Sequence, residues 1–397
     1  MTMRIALVAP LVSPIAPPYL GGAQALLADL ARGLAQRGHE VTLYAAEGSS
    51  VPGVRIITLG IDSSELHPAR FHRDSMAPTT TSATTSTSTS DDDEYIPDML
   101  RPDERKLLPS YAFLHVFRAL VNHVDDFDLV HAHAFDWPAY AYSSMLPLPV
   151  IHTLHLPAVD SNIAKLLGVL APPDGAPARV RLTTVSHACA AGWSPYCDIT
   201  QVIHNGVDVD AIPFSTESGS PPSLLFAGRI SPEKGVEDAL KIAEQADLPL
   251  VVAGDIYDTR YYEQRIAPRL ERMGDRVRYL GGVAHEDLYQ LMGASLAVLC
   301  PPHWEEPFGL VACEAQAAGT PIVAYRRGGL AEVVADGETG FVVEPGDIAA
   351  AVAAVQQVGT LDRRASRSRV ESHFTLAKML DGYEAFYAET LALDTAR

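Results

Sequence analysis

Short apolar runs rich in β-branched residues and ending in Gly, His, Asp or Ser recur along this chain, each followed by a longer stretch with helical spacing. A strand that is apolar throughout needs cover on both faces. An intervening helix supplies that cover, so the alternation predicts an α/β class with parallel sheets and crossover helices. Candidate strands fall near 3–10, 39–46, 55–60, 128–133, 149–155, 180–186 and 201–205, and a second series near 223–229, 249–255, 277–281, 296–300, 321–325 and 340–343. Each series is enough for a complete sheet. With 397 residues, more than one core usually organises, two doubly wound domains are expected, over 1–210 and 211–373. The hinge is placed in 211–222 (AIPFSTESGSPP), where Pro, Ser and Gly cluster without periodicity.

After Gly21-Gly22 the leucines 26, 27, 30 and 34 mark a first crossover helix that Gly38 stops. Residues 79–90 are Ser or Thr except Ala83 and run into DDDE, so a disordered insertion is expected over about 77–94. The stripe Tyr111, Leu114, Phe117, Val121 suits either a membrane surface or a core, and core packing is taken. The formal charge of −19 disfavours nucleic acid and anionic lipid. No apolar stretch reaches the ~20 residues of a bilayer span, and the N-terminus reads as a strand rather than a signal peptide. A soluble, cytoplasmic protein is therefore expected. Cys189, Cys197, Cys300 and Cys313 fit neither a zinc motif nor a disulfide framework and are read as small apolar fillers.

Two clusters carry the chemistry. Between 300 and 346 an apolar strand ends at Cys300, a loop bearing Pro and Glu follows, and Phe308-Gly309-Leu310 opens an Ala-rich helix whose free N–H groups suit a phosphate. Glu314 lies four residues past Leu310 on the same helical face, roughly 6 Å along the axis, about the step from a diphosphate to its ribose. Glu306 ends the loop, where an acceptor-only carboxylate meets a second polyol. A bland alternative is that both glutamates merely cap and solvate a surface helix. The second cluster, GRISPEKG at 228–235, places Arg229 and Lys234 on a glycine-bounded loop at the carboxyl end of a strand. Only five of the 30 basic residues are lysines, which makes Lys234 less plausible as surface filler, although pairing with Glu233 or Glu237 is the bland alternative.

These segments resemble the retaining glycosyltransferases of family 4, which have a GT-B fold of two Rossmann-like domains. The resemblance rests on GRISPEKG, on Glu306 and Glu314 within EPFGLVACEAQAAGTPIVA, and on GGLAEVVADGETGFVVEPGD. DLVHAH, VSHA and HNGVD support it. It implies an interdomain cleft, a donor bound by the second domain, an acceptor bound by the first, and a C-terminal helix (374–397) returning to the first domain. Phe374, Leu376, Met379, Leu380, Tyr383, Phe386 and Tyr387 have the spacing for that helix. By resemblance, Arg229 and Lys234 neutralise the diphosphate, Glu314 holds the ribose, and Glu306 reads the donor sugar beside the amides of Phe308, Gly309 and Leu310. Gly282 and Val283 adjoin the base, and Gly21 and Gly22 approach from the first domain. His133 lies near the reacting sugar, and His152 and His155 are acceptor candidates. The implied reaction is retaining transfer of a hexose from UDP-glucose, or next GDP-mannose, to an acceptor hydroxyl, with no metal and no other cofactor. Oligomeric state stays open.

Rivals remain at this level. His131, His133 and Asp136 with His152 and His155 resemble a metal-hydrolase set, but His131 and His133 are expected on opposite faces, one in the core and one in the cleft. A nucleotide-sugar epimerase would share the donor site, and a non-catalytic nucleotide-sugar sensor would bind without turnover. Two segments depart from the family pattern: 151–155 lacks an acidic residue after its second His, and 255–270 replaces a short Gly-Pro turn.

Overall fold

The structure, a computed structural model, describes residues 2–17, 19, 21–66, 104–173 and 179–395. The insertion expected over 77–94 lies outside them. The first sheet comprises β1 (Arg4–Val8), β2 (Glu40–Tyr44), β3 (Arg55–Ile57), β4 (Leu129–Ala132), β5 (Val150–Leu154), β6 (Val180–Thr184) and β7 (Gln201–Val202), in the order β3-β2-β1-β4-β5-β6-β7. The second comprises β8 (Leu224–Ala227), β9 (Leu250–Ala253), β10 (Val277–Tyr279), β11 (Ala297–Cys300), β12 (Ile322–Tyr325) and β13 (Gly340–Val343), in the order β10-β9-β8-β11-β12-β13. All pairings are parallel.

Helices cover both faces of each sheet, which is why the central strands are apolar throughout. In β1, Ile5 and Leu7 face the first helix, Gly22–Gln36, while Ala6 and Val8 face Phe113, Val116, Phe117 and Leu120 of the Glu104–Asn122 helix. That second packing corrects the proposed stripe. Phe117 is buried, but Tyr111 is 59% exposed and Leu114 and Val121 about 40%. Steps of three or four fit two neighbouring helical faces equally, and the face centred on Phe113, Val116 and Leu120 packs on the sheet.

The chain crosses between domains twice, side by side. Val207 N donates to Phe374 O at 2.9 Å, and Leu376 N donates to Val207 O at 2.8 Å. From there the last helix, Leu376–Thr395, runs back along the first domain and buries Met379, Leu380, Tyr383, Phe386 and Tyr387 in the core shared with the first helix. The fold is a two-domain α/β GT-B architecture.

Candidate donor and acceptor site

In both sheets the strand order reverses next to the series' first strand, and open α/β sheets bind ligands outside the carboxyl ends at such a reversal. The reversal between β1 and β4 brings together the segment leading to Gly21-Gly22 and the residues after Ala132. The reversal between β8 and β11 brings together Gly228-Arg229 and the Pro301–Gly309 loop. The two crevices face each other. A Cβ on Gly22 would lie 2.8 Å from Leu310 Cδ1, so the first helix meets the Leu310–Ala317 helix at this point. Tyr19 and His285, also from opposite domains, have ring centroids 6.0 Å apart.

On the second domain, the Lys234 ammonium donates to Glu306 Oε2 at 2.8 Å and lies 4.9 Å above the Trp304 ring. Trp304 Nε1 donates to the same oxygen at 2.8 Å. Arg229 stacks over Tyr257 at 4.3 Å, and its guanidinium is 3.6 Å from Glu233. The structure thus pairs Lys234 with Glu306, not with either of the neighbours in its own loop. The glutamate loop is pinned from behind: Gly328 N donates to Glu305 Oε2 and Gly329 N to Glu306 O, both at 2.7 Å. Gly309 has φ +99°, and a Cβ there would meet Leu330 Cδ2 at 2.6 Å, so the turn that aims the Leu310–Ala317 helix is a glycine-only turn. Gly282 and Val283 follow β10, where a Cβ on Gly282 would meet Asp255 Oδ1 at 2.4 Å.

Glu314 sits one turn into that helix, partly exposed. Among the described residues, no side chain or amide hydrogen-bonds to its carboxyl group. Burial, with the nearby Asp29 carboxylate of the first helix second, pushes its pKa up to about 8. Asp29 itself is raised by burial, despite a 2.5 Å contact with Arg32. Burial and the Glu314 charge also raise Tyr289. An unsatisfied carboxyl in a low-dielectric crevice is a strong acceptor for a ligand's hydroxyls.

The histidines do not sit on opposite faces as expected. His131 and His133 lie on the same side, with ring centroids 4.0 Å apart, and both are buried. Residues two apart on a strand share a face, and the parallel ladder runs on past β4, with His133 N donating to Val8 O at 2.8 Å, so the two rings stand side by side. Neither histidine is open to the cleft. His133 Nδ1 meets His155 Nε2 at 2.9 Å and its Nε2 meets His131 Nδ1 at 3.3 Å. His131 Nδ1 also meets Tyr387 Oη at 2.7 Å, and its Nε2 meets Thr153 Oγ1 at 2.7 Å. These nitrogens are occupied by protein partners, a poor arrangement for a hydrolytic metal. Burial holds His131 and His133 well below the usual range, with the neighbouring histidines adding to the effect, and lowers His155 to about 4 and His152 to about 3. His152 packs on Tyr140, and neither of its ring nitrogens has a hydrogen-bond partner.

Sequence reasoning missed Trp304, Tyr257 and Asp29. Trp304 had a signal, an indole N–H next to two glutamates; Asp29 had none, because its importance comes from the opposite domain.

Residues 208–371 match the family described as Glycosyl transferases group 1, and residues 20–211 match Glycosyltransferase Family 4. A glycogen synthase of Mycobacterium tuberculosis is 33% identical over 278 residues, 62% of this chain, and the chain spans 65% of that relative's length. A D-inositol 3-phosphate glycosyltransferase of Mycolicibacterium smegmatis is 30% identical over 320 residues, 71% of this chain and 72% of the relative. The solved structure of Anabaena HepE in complex with UDP-glucose superposes with a TM-score of 0.67 at 20% identity, covering 98% of this chain and 99% of that one, and so shares the fold. No helix among the described residues is long and apolar enough to cross a membrane. With both family models matching in tandem across the two domains, the chain belongs to the family 4 glycosyltransferases of the GT-B fold.

Proposed function

We propose that this protein transfers a hexose from a nucleotide-diphosphate sugar to an acceptor hydroxyl with retention, UDP-glucose being the first donor to test and GDP-mannose the next. The observation that carries the reading is the unsatisfied Glu314 carboxyl, one turn inside a helix whose first residue, Leu310, meets Gly22 of the opposite domain. Ribose hydroxyls donating to Glu314 leave the diphosphate at that helix N-terminus, where its dipole and the Arg229 and Lys234 cations stabilise the charge that grows as the anomeric bond breaks. Cations and amides then do the work a metal would do, so activity is expected to survive chelator. Lys234 and Glu306 occupy each other in this structure, and a donor separates them: the ammonium goes to phosphate, the carboxylate to sugar hydroxyls. His133, held neutral and 1% exposed, reaches the sugar only after its surroundings rearrange, and then offers a hydrogen bond rather than a charge. The relative that bears UDP-glucose and the relatives named as glycosyltransferases support this reading.

The test is a thermal melt with UDP, UDP-glucose, GDP and GDP-mannose, with and without EDTA, in the natural protein and in Glu314→Ala. A ligand at 100 times its Kd stabilises by about 2.7 kcal/mol. A chelator-resistant shift with one nucleotide, absent in the variant, supports the donor site. No shift with any nucleotide would overturn it.

A further inference from the structure

Where the two domains meet, three potential metal ligands converge from both. His187 opens the His187–Trp193 helix, His204 follows β7, and Glu332 lies on the Leu330–Val333 helix of the second domain. One ligand atom from each lies within 4.8 Å of the other two. We propose that His187, His204 and Glu332 form a divalent transition-metal site that joins the two domains, suited to Zn²⁺, Co²⁺ or Ni²⁺.

Two imidazoles and a carboxylate are a borderline donor set of the kind these ions take, with bonds of about 2.0–2.2 Å and, in a tetrahedron, ligand atoms roughly 3.4 Å apart. Two of the three already approach that spacing, since His204 Nε2 is 3.0 Å from Glu332 Oε2. The carboxylate is held in place independently: Ala188 N donates to Oε1 at 2.7 Å and His187 N to Oε2 at 2.9 Å. Fixed outer contacts of this kind orient a metal ligand before the ion arrives. The His187 ring stands nearly perpendicular to that of His204, at 76° and 5.5 Å. It is exposed, so a short side-chain rotation brings its nitrogen to the ion and leaves the fourth position to water. The imidazole of His187 takes no part in holding Glu332; its backbone amide does. Because His204 also packs on Phe308 at 6.0 Å, an ion here would brace the loop leading into the donor helix and hold the two domains in this arrangement.

The test is titration of the untagged full chain with ZnCl₂ by calorimetry and with CoCl₂ by visible absorption. One equivalent per chain and an intense tetrahedral Co²⁺ spectrum are expected. His187→Ala should weaken binding at least tenfold without changing the metal-free melting temperature or the nucleotide-induced shift, and Glu332→Gln should weaken it as well. Absence of stoichiometric binding overturns the proposal, and so does unchanged affinity in both variants. Because His187 makes no contact with the donor site, failure here leaves the transferase reading standing, and failure of the nucleotide melts leaves this site standing.

Discussion

At the scale of single residues, Glu314 is the least comfortable charge in the cleft. Its folded pKa of about 8 lies above the usual 4.5, so its unfavourable contribution is absent below the unfolded value and grows as pH rises toward 8. At about 1.4 kcal/mol per unit, reduced by partial exposure, the cost at pH 8.5 is a few kcal/mol. Glu314→Gln should therefore melt with the natural protein at pH 4 and several degrees above it at pH 8.5, as thermal scans at the two pH values will show. Ribose hydroxyls favour the carboxylate form, so binding a nucleotide sugar near pH 7 should release a proton, measurable by calorimetry in buffers of different ionisation enthalpy. The strand, glycine turn and helix that carry Glu314 were legible because all three were written locally. The partners were not: Lys234 meets Glu306 across 72 positions, and Asp29 reaches Glu314 only through the meeting of two domains. His133 was misplaced because residues two apart on a strand share a face, so it lies beside His131 rather than across the sheet from it.

Among the elements, the central strands and the first and last helices were legible because their apolar spacing is unambiguous, whereas the Glu104–Asn122 helix was read one residue off. The Arg363–His373 helix left no readable signal for its main anchor. Arg363, 9% exposed, donates to Ser215 O at 3.0 Å, Ser295 O at 2.9 Å, Gly293 O at 2.7 Å and Thr320 Oγ1 at 2.6 Å. Burial lowers its pKa to about 10. One guanidinium thus gathers the segment at Ser215, the end of the His285–Ala294 helix and the loop before β12. Arg363→Met would leave these acceptors buried without donors, at a cost of about 3 kcal/mol or more. In urea, the transition of the second domain should move to lower concentration while that of the first stays in place.

For the whole molecule, Gly22 and Leu310 mark one point where the two domains touch. Gly22→Val must push the end of the Leu310 side chain aside and is expected to lower kcat/KM for transfer severalfold, with the melting temperature within a degree or two, because the exposed Gly22 lies in neither core. Equal turnover in steady-state assays would show that closure does not depend on this contact. The last helix has a consequence for how the molecule is made. Its Met379, Leu380, Tyr383, Phe386 and Tyr387 wall one face of the first domain, yet they follow the entire second domain in sequence. Domains ordinarily mature from the N-terminus during synthesis. Here the first domain is sealed only after the second has been made: the nascent chain carries an open apolar flank, and a chaperone's window of opportunity, until the last helix has been translated.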